Sequence, residues 1–242
     1  MLSGEAPAAM PGLLRFRPLR EDRQPALTGQ HPATTIAAMP RLPLAGLLIA
    51  LACSATANDL QQVLPANTAA DIRQQLQGNR HAHFAVVDYA RHSSQPRLML
   101  FERNSLRLLA SYRVAHGQGS DPDHDGFTDH YSDAPGSHAS SLGTLRTDQV
   151  YQSNAPGHGL SMRLIGLSPG NANAERRAIV LHAKSYMEDD FIRRHGVAGR
   201  SHGCLVLADN DRDKAIALLR GGALIFVIDS RLSAHHYLAR NR

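Results

Sequence analysis

The sequence predicts a mainly β domain with a few short helices. Three observations carry this expectation. Runs of Val, Leu, Ile and aromatic residues recur at strand length, in His81–Ala90 (HAHFAVVDYA), Arg97–Arg103 (RLMLFER) and Ala223–Ile228 (ALIFVI). The run Leu106–Gly117 (LRLLASYRVAHG) follows RLMLFER across Asn104-Ser105, a junction that reads as the turn of a hairpin. The helical stretches between such runs are short and closed by glycine.

In chain order, a helix over Ala69–Gln77 is expected to end at Gly78, and the first three strands follow. Gly117–Gly143 is a long loop rich in Asp, Ser, Gly and His, of the kind that is functional or disordered inside a compact domain. Leu160–Leu167 (LSMRLIGL) and Ala178–Ala183 (AIVLHA) are strand-like, and Glu188–His195 is a short helix stopped by Gly196. Asp209, Asn210 and Asp211 can cap a helix over Arg212–Arg220, with Gly221 as its stop and the buried strand Ala223–Ile228 after it. No internal repeat, coiled coil or linker divides the chain.

Composition narrows the function classes. A hydrophobic fraction of 43% in 242 residues is enough for a packed core. Aromatics make up only 5% and tryptophan is absent, which argues against a stacking platform for single-stranded nucleic acid. The net charge of +5 falls to +3 once the first 57 residues are set aside, and no basic run tracks a phosphate backbone, so no nucleic acid partner is expected. Arg41, the apolar run Leu42–Ala52 and the small residues Ala55-Thr56-Ala57 read as a secretory signal peptide over 39–57, cleaved before Asn58. The apolar run is too short for a stable membrane span. Residues 1–38 lack periodicity, so they are expected to be a leader outside the folded protein, with Met39 as the true start and 58–242 as a single domain. Cys53 leaves a lipoprotein as the lesser alternative, because Ala50 stands where a lipobox wants a larger aliphatic residue.

Cleavage after Ala57 would leave Cys204 as the only cysteine, in an exported compartment and with no disulfide partner in its own chain. It follows Ser201-His202-Gly203. A nucleophilic cysteine needs a base near the thiol and donors for the oxyanion, because a free thiol with pKa near ~8.5 is mostly protonated at neutrality. His182, His195 and His202 are the candidate bases; His182 ends an apolar strand and is the best held. Gly203 lets the backbone turn sharply, and the N–H groups of Gly203 and Cys204 could receive an oxyanion. Two other readings stay open on the residues alone. A lone cysteine is often a small core hydrophobe. His182, His202 and Cys204 could also hold zinc, though no CxxC or HExxH spacing supports a metal.

The spacing of His182 from Ser201-His202-Gly203-Cys204 resembles the signature of murein L,D-transpeptidase catalytic domains, the YkuD-like family. Val114–Gly119 (VAHGQG) and Ser140–Thr147 (SSLGTLRT) resemble further segments of that family, and the similarity covers roughly residues 80–230, closest to a divergent bacterial subgroup. The resemblance implies an L,D-transpeptidase-like β-sandwich or barrel. It implies Cys204 as nucleophile, His182 as base oriented by the Ala183 carbonyl, and Gly203 in the catalytic set. Ser201, His202 and Arg200 would then bind substrate. It further implies acyl transfer on peptidoglycan stem peptides in the periplasm, with no cofactor: attack after the third residue, commonly diaminopimelate, release of D-alanine, and a cross-link through a thioester. Hydrolysis of the same bond would make an L,D-carboxypeptidase. Val206 departs from the family pattern, where Asn or Arg is usual, and it is the only sequence support for a non-catalytic wall-binding module.

Asp121, Asp123, Asp125, Gly126 and Asp129 match the first part of a calcium-binding EF-hand loop. The twelfth position is Ser132 where a bidentate Glu is wanted, so a solvated surface loop is expected instead.

Overall fold

The structure is a computed structural model that describes residues 59–238. The leader, the signal segment and Cys53 lie outside the described residues. Eight strands form one sheet: β1 (His83–Asp88), β2 (Leu98–Glu102), β3 (Leu108–Tyr112), β4 (Gly143–Gln152), β5 (Leu160–Gly166), β6 (Val180–Ala183), β7 (Leu205–Leu207) and β8 (Leu224–Ile228). Four short helices accompany them: α1 (Asp59–Val63), α2 (Ala66–Leu76), α3 (Asp189–His195) and α4 (Asp209–Leu219). The strand order is β3-β2-β1-β8-β4-β5-β6-β7. The β1–β8 and β6–β7 pairs are parallel and the others antiparallel.

Strand alternation sorts side chains between two cores. Ala85 and Val87 of β1 point into the larger one with Leu98, Met162, Leu181, Leu205, Ile225 and Val227, and Ala215, Ile216 and Leu219 of α4 pack there too. Phe84 and Val86 point the other way, joining Met99, Phe101 and Phe226 beneath Leu60, Ile72 and Leu76 of α1 and α2. Strands β1 and β8 are therefore covered on both faces, which is why FAVV within β1 and LIFVI of β8 are unbroken apolar runs.

The two outer ends of the sheet are sewn together. The chain leaving β3 runs beside β7: Ala115 N–H donates to Val206 C=O (2.9 Å), Ser201 N–H to His116 C=O (2.8 Å) and Gln118 N–H to Ser201 C=O (2.8 Å). The sheet becomes barrel-like, and the residues just before β7 form its seam.

Several expectations are corrected here. Strand β4 is the longest of the eight, yet Arg146, Asp148 and Gln149 break its apolar pattern and hide it in the sequence. Helix α4 begins at Asp209 with Ala208 as its N-cap, so Asp209 and Asp211 lie inside its first turn, where they favour the helix through its dipole rather than as caps. Helix α2 starts at Ala66, three residues before the expected Ala69. The Asp121–Asp129 stretch is solvated in part: Pro122, Asp123, Asp125, Phe127 and Asp129 are exposed, while Asp121 and Thr128 are buried, and with buried Ser120 and Ser140 they hold the segment 117–143 as a strap against the seam. The hairpin at Asn104-Ser105 and the stop of α3 at a left-handed Gly196 (φ 76°) are as read from the sequence. Among the described residues, no helix is long and apolar enough to cross a membrane.

Candidate active site

Cys204 stands one residue before β7, beside Val180, because the register pairs Leu181 with Leu205. It is partly exposed, and its thiol faces the Ala178 carbonyl at 3.7 Å. Ala178 holds a positive φ of 54° without being glycine, a strained backbone at the residue that touches the sulfur. Burial pushes the Cys204 thiol up; the Val180 N–H and the nearby Arg177 guanidinium pull the other way.

His182 sits two residues into β6 and is 4% exposed. Its Nδ1 lies 2.8 Å from the Ala183 carbonyl oxygen. A carbonyl only accepts, so Nδ1 carries the proton, and in the neutral ring Nε2 is left unprotonated. Burial lowers the imidazole to about 4; the Ala183 carbonyl opposes this, and His158, Lys184 and Arg212 add to it. The His158 ring stacks on His182 with centroids 3.7 Å apart and planes 16° from parallel. The resting pair is thus a protonated thiol and a neutral imidazole.

The turn before Cys204 is pinned by Ser201. Its hydroxyl donates to the Cys204 carbonyl (2.9 Å) and accepts from the Gly203 N–H (3.0 Å). The Gly203 N–H, expected as an oxyanion donor, is thus engaged within the turn itself. Gly203 has φ 106°, and a Cβ there would meet the Ala139 carbonyl oxygen at 2.7 Å and Arg177 Nη2 at 2.9 Å.

Arg177 was not legible in the sequence, since nothing marks it as a motif. Its guanidinium is almost fully buried and donates to the Ala139 and Ser132 carbonyls, with Asp133 alongside at 3.5 Å. Behind the seam lies a second buried group. Arg97 Nη2 donates to His116 Nδ1 (2.9 Å), and His116 Nε2 donates to Asp121 Oδ2 (2.8 Å). Burial and the Arg97 charge drive His116 down to about 2, so it bridges a cation and an anion as a neutral ring. The backbone carbonyl of this same His116 holds the Ser201 N–H.

Two cavities meet at Cys204. One, of about 270 Å³, is lined by His182, Ser201, His202, Lys184 and Arg200 among others, with no acidic residue. The second, of about 330 Å³, is lined by Tyr151, Ser153, Arg163, Glu175 and Val180 among others. His158 lines both, a residue the sequence reading passed over because APGHGL looks like a turn. Of the sequence-predicted residues, Cys204, His182, Ser201, His202 and Arg200 all line the first cavity. His202 is exposed and stacks on His138 of the strap (4.1 Å). Arg200 donates to the Asp121 carbonyl. His195 is exposed on α3 against Phe191 and outside both cavities, which removes it as a base. Val206 is fully buried with Ala115, Met187 and Ile192, so it is a core residue rather than a missing contact in the cavity. The carboxylates of Asp121, Asp123 and Asp125 come within 4.8 Å of one another, but Asp121 is buried and its oxygens already accept from His116, Asp125 N–H and Gly126 N–H.

A model of the L,D-transpeptidase catalytic domain matches residues 57–228. The chain belongs to this family. The matched segment of the L,D-transpeptidase domain closes on the last residue of β8 and contains every residue named above at the site. Similar solved structures include an L,D-transpeptidase from Mycobacterium smegmatis (13% identity, 60% of this chain and 58% of that one, TM-score 0.38). Others are L,D-transpeptidase 1 from Mycobacterium tuberculosis (12%, 61% and 62%, 0.35) and Bd1075 from Bdellovibrio bacteriovorus (20%, 66% and 50%, 0.38). The chain therefore spans between half and two thirds of the length of these relatives. No curated protein matches it.

Proposed function

We propose that the protein is an exported cysteine acyltransferase acting on peptidoglycan stem peptides. The observation that carries the reading is the tautomer of His182: with Nδ1–H fixed on the Ala183 carbonyl, Nε2 is free to take a proton in the cavity it shares with Cys204. The Cys204 proton moves to Nε2 as the sulfur attacks the carbonyl carbon of the third stem residue. The Cys204 N–H receives the developing oxyanion. The bond to the terminal D-alanine breaks, and the imidazolium gives its proton to the departing amine. A thioester remains. An amine from a second stem, losing a proton to His182, displaces the thiolate and forms the cross-link; water in its place gives hydrolysis. Lys184 and Arg200 make the smaller cavity cationic and suited to the carboxylate of the leaving D-alanine. The second cavity leaves room for the rest of the stem. The substrate lies outside the cytoplasm, in keeping with the signal segment 39–57.

The test uses the full chain with disaccharide-tetrapeptides and mass spectrometry of products and of intact protein. Joined stems, lost with Cys204→Ala, are the expected result. Loss of D-alanine alone would make the protein an L,D-carboxypeptidase. No product and no acyl adduct on Cys204 would overturn the reading.

A further inference from the structure

Arg177 places a buried cation behind Cys204. Its side chain is 3% exposed, and burying a guanidinium costs free energy unless its donors are met. Nη1 donates to the Ser132 carbonyl at 3.0 Å, with the Asp133 carboxylate alongside at 3.5 Å. That carboxylate is itself held by the Asn173 N–H at 2.7 Å. The Nη1 edge is thus anchored on the strap. The Nη2 edge, which donates to the Ala139 carbonyl, faces the turn that carries Cys204. A Cβ at Gly203 would meet Nη2 at 2.9 Å, so the guanidinium comes this close because residue 203 has no side chain. Ala178 follows Arg177 directly, and its carbonyl meets the Cys204 thiol at 3.7 Å. One side chain therefore braces both the acceptor at the sulfur and the backbone beside it.

Neighbouring groups do not duplicate this charge. Lys184, Arg200 and His202 line the smaller cavity and Arg163 and Glu175 the larger, but all five reach water, which screens them. Burial lowers His182 and His158, which stand uncharged near neutrality, and keeps the Tyr186 phenol protonated. Burial also pushes the Cys204 thiol up, and the Arg177 charge opposes it. We propose that Arg177 is a positioning residue for the reaction at Cys204: it holds the sulfur on the Ala178 carbonyl and stabilises the thiolate, both when the proton passes to His182 and when the thioester breaks. This rests on the reading of Cys204 as the nucleophile. The charge is in place before substrate arrives, so it needs no reorganisation as the sulfur turns negative.

The experiment follows the pH dependence of Cys204 alkylation by iodoacetamide on the full chain, read at the Cys204 peptide by mass spectrometry. Iodoacetamide reacts with the thiolate, so the midpoint reports on the sulfur and needs no peptidoglycan. Arg177→Gln is expected to move the midpoint up by about one pH unit, and Arg177→Lys, which keeps the charge, to move it much less. A bracing role alone would lower the thermal melt and leave the midpoint in place. Asp133→Asn leaves the guanidinium unopposed and is expected to move the midpoint down; it carries the test if Arg177→Gln does not fold. With tetrapeptide donors, Arg177→Gln should lower kcat about ten-fold with KM little changed. A midpoint that stays put in a folded Arg177→Gln or in Asp133→Asn, or that Arg177→Lys moves as far as Arg177→Gln, overturns the assignment. Shifted midpoints in a protein that turns over no tetrapeptide would sink acyl transfer and keep the role of Arg177. Turnover with unmoved midpoints would do the reverse.

Discussion

At the scale of single residues, His182 and Gly203 make the sharpest claims. A base lowered to about 4 stays neutral through the mildly acidic range, so the acid limb of kcat/KM should fall near pH 4 instead of near the ordinary imidazole value of 6.5. His182→Gln should lower kcat by about a thousand-fold or more while leaving the fold intact, measured as the rate of Cys204 acylation beside a thermal melt. Gly203→Ala meets both a left-handed φ and the Ala139 carbonyl oxygen, so a loss of about 1–3 kcal/mol in unfolding free energy is expected, seen in denaturant titration. Cys204, His182 and the SHG triplet could be read from the sequence because their chemistry lies in residue type and close spacing. Arg177 and His158 could not. They come from two other segments and reach the neighbourhood of Cys204 only when the chain folds, so no local pattern marks them.

At the scale of elements, the strap 117–143 is tied to the seam by the Arg97–His116–Asp121 chain. Both ends of that chain are buried charges joined through a neutral ring. Asp121→Asn removes the anion and leaves buried Arg97 with Asp88 as its remaining nearby carboxylate, which should cost about 3 kcal/mol and lower the melting temperature. The stretch Asp121–Asp129 reads as a solvated acidic loop because Asp and Gly dominate it, and Asp123, Asp125 and Asp129 are indeed exposed, but Asp121 faces inward. Strands β1, β2, β3 and β8 were legible because their apolar runs are long. Strand β4 was not, because it is flanked by solvent on much of one face and takes its place through pairing with β5 and β8. Strand β7 has only three residues, too few to show a period.

For the whole molecule, two buried neutral histidines set the acid limit of stability. His182 and His116 both have folded values below the unfolded imidazole value of 6.5, so the unfolded chain binds more protons between those values. Their contribution is complete above about pH 6.5 and is lost as pH falls, on the order of 3 kcal/mol by pH 4 for His182 alone. Unfolding midpoints in urea should be flat from pH 7 to 8 and fall steadily from pH 6.5 to pH 4. His182→Gln should make that decline shallower.

The resting state of the Cys204–His182 pair has a bearing on how the sulfur withstands oxidants. Peroxides and disulfides react with a thiolate, and a thiol held protonated against the Ala178 carbonyl is a poor target for them. The neighbours that hold the thiol protonated therefore also keep it chemically quiet, where among the described residues no second cysteine stands by to shield it.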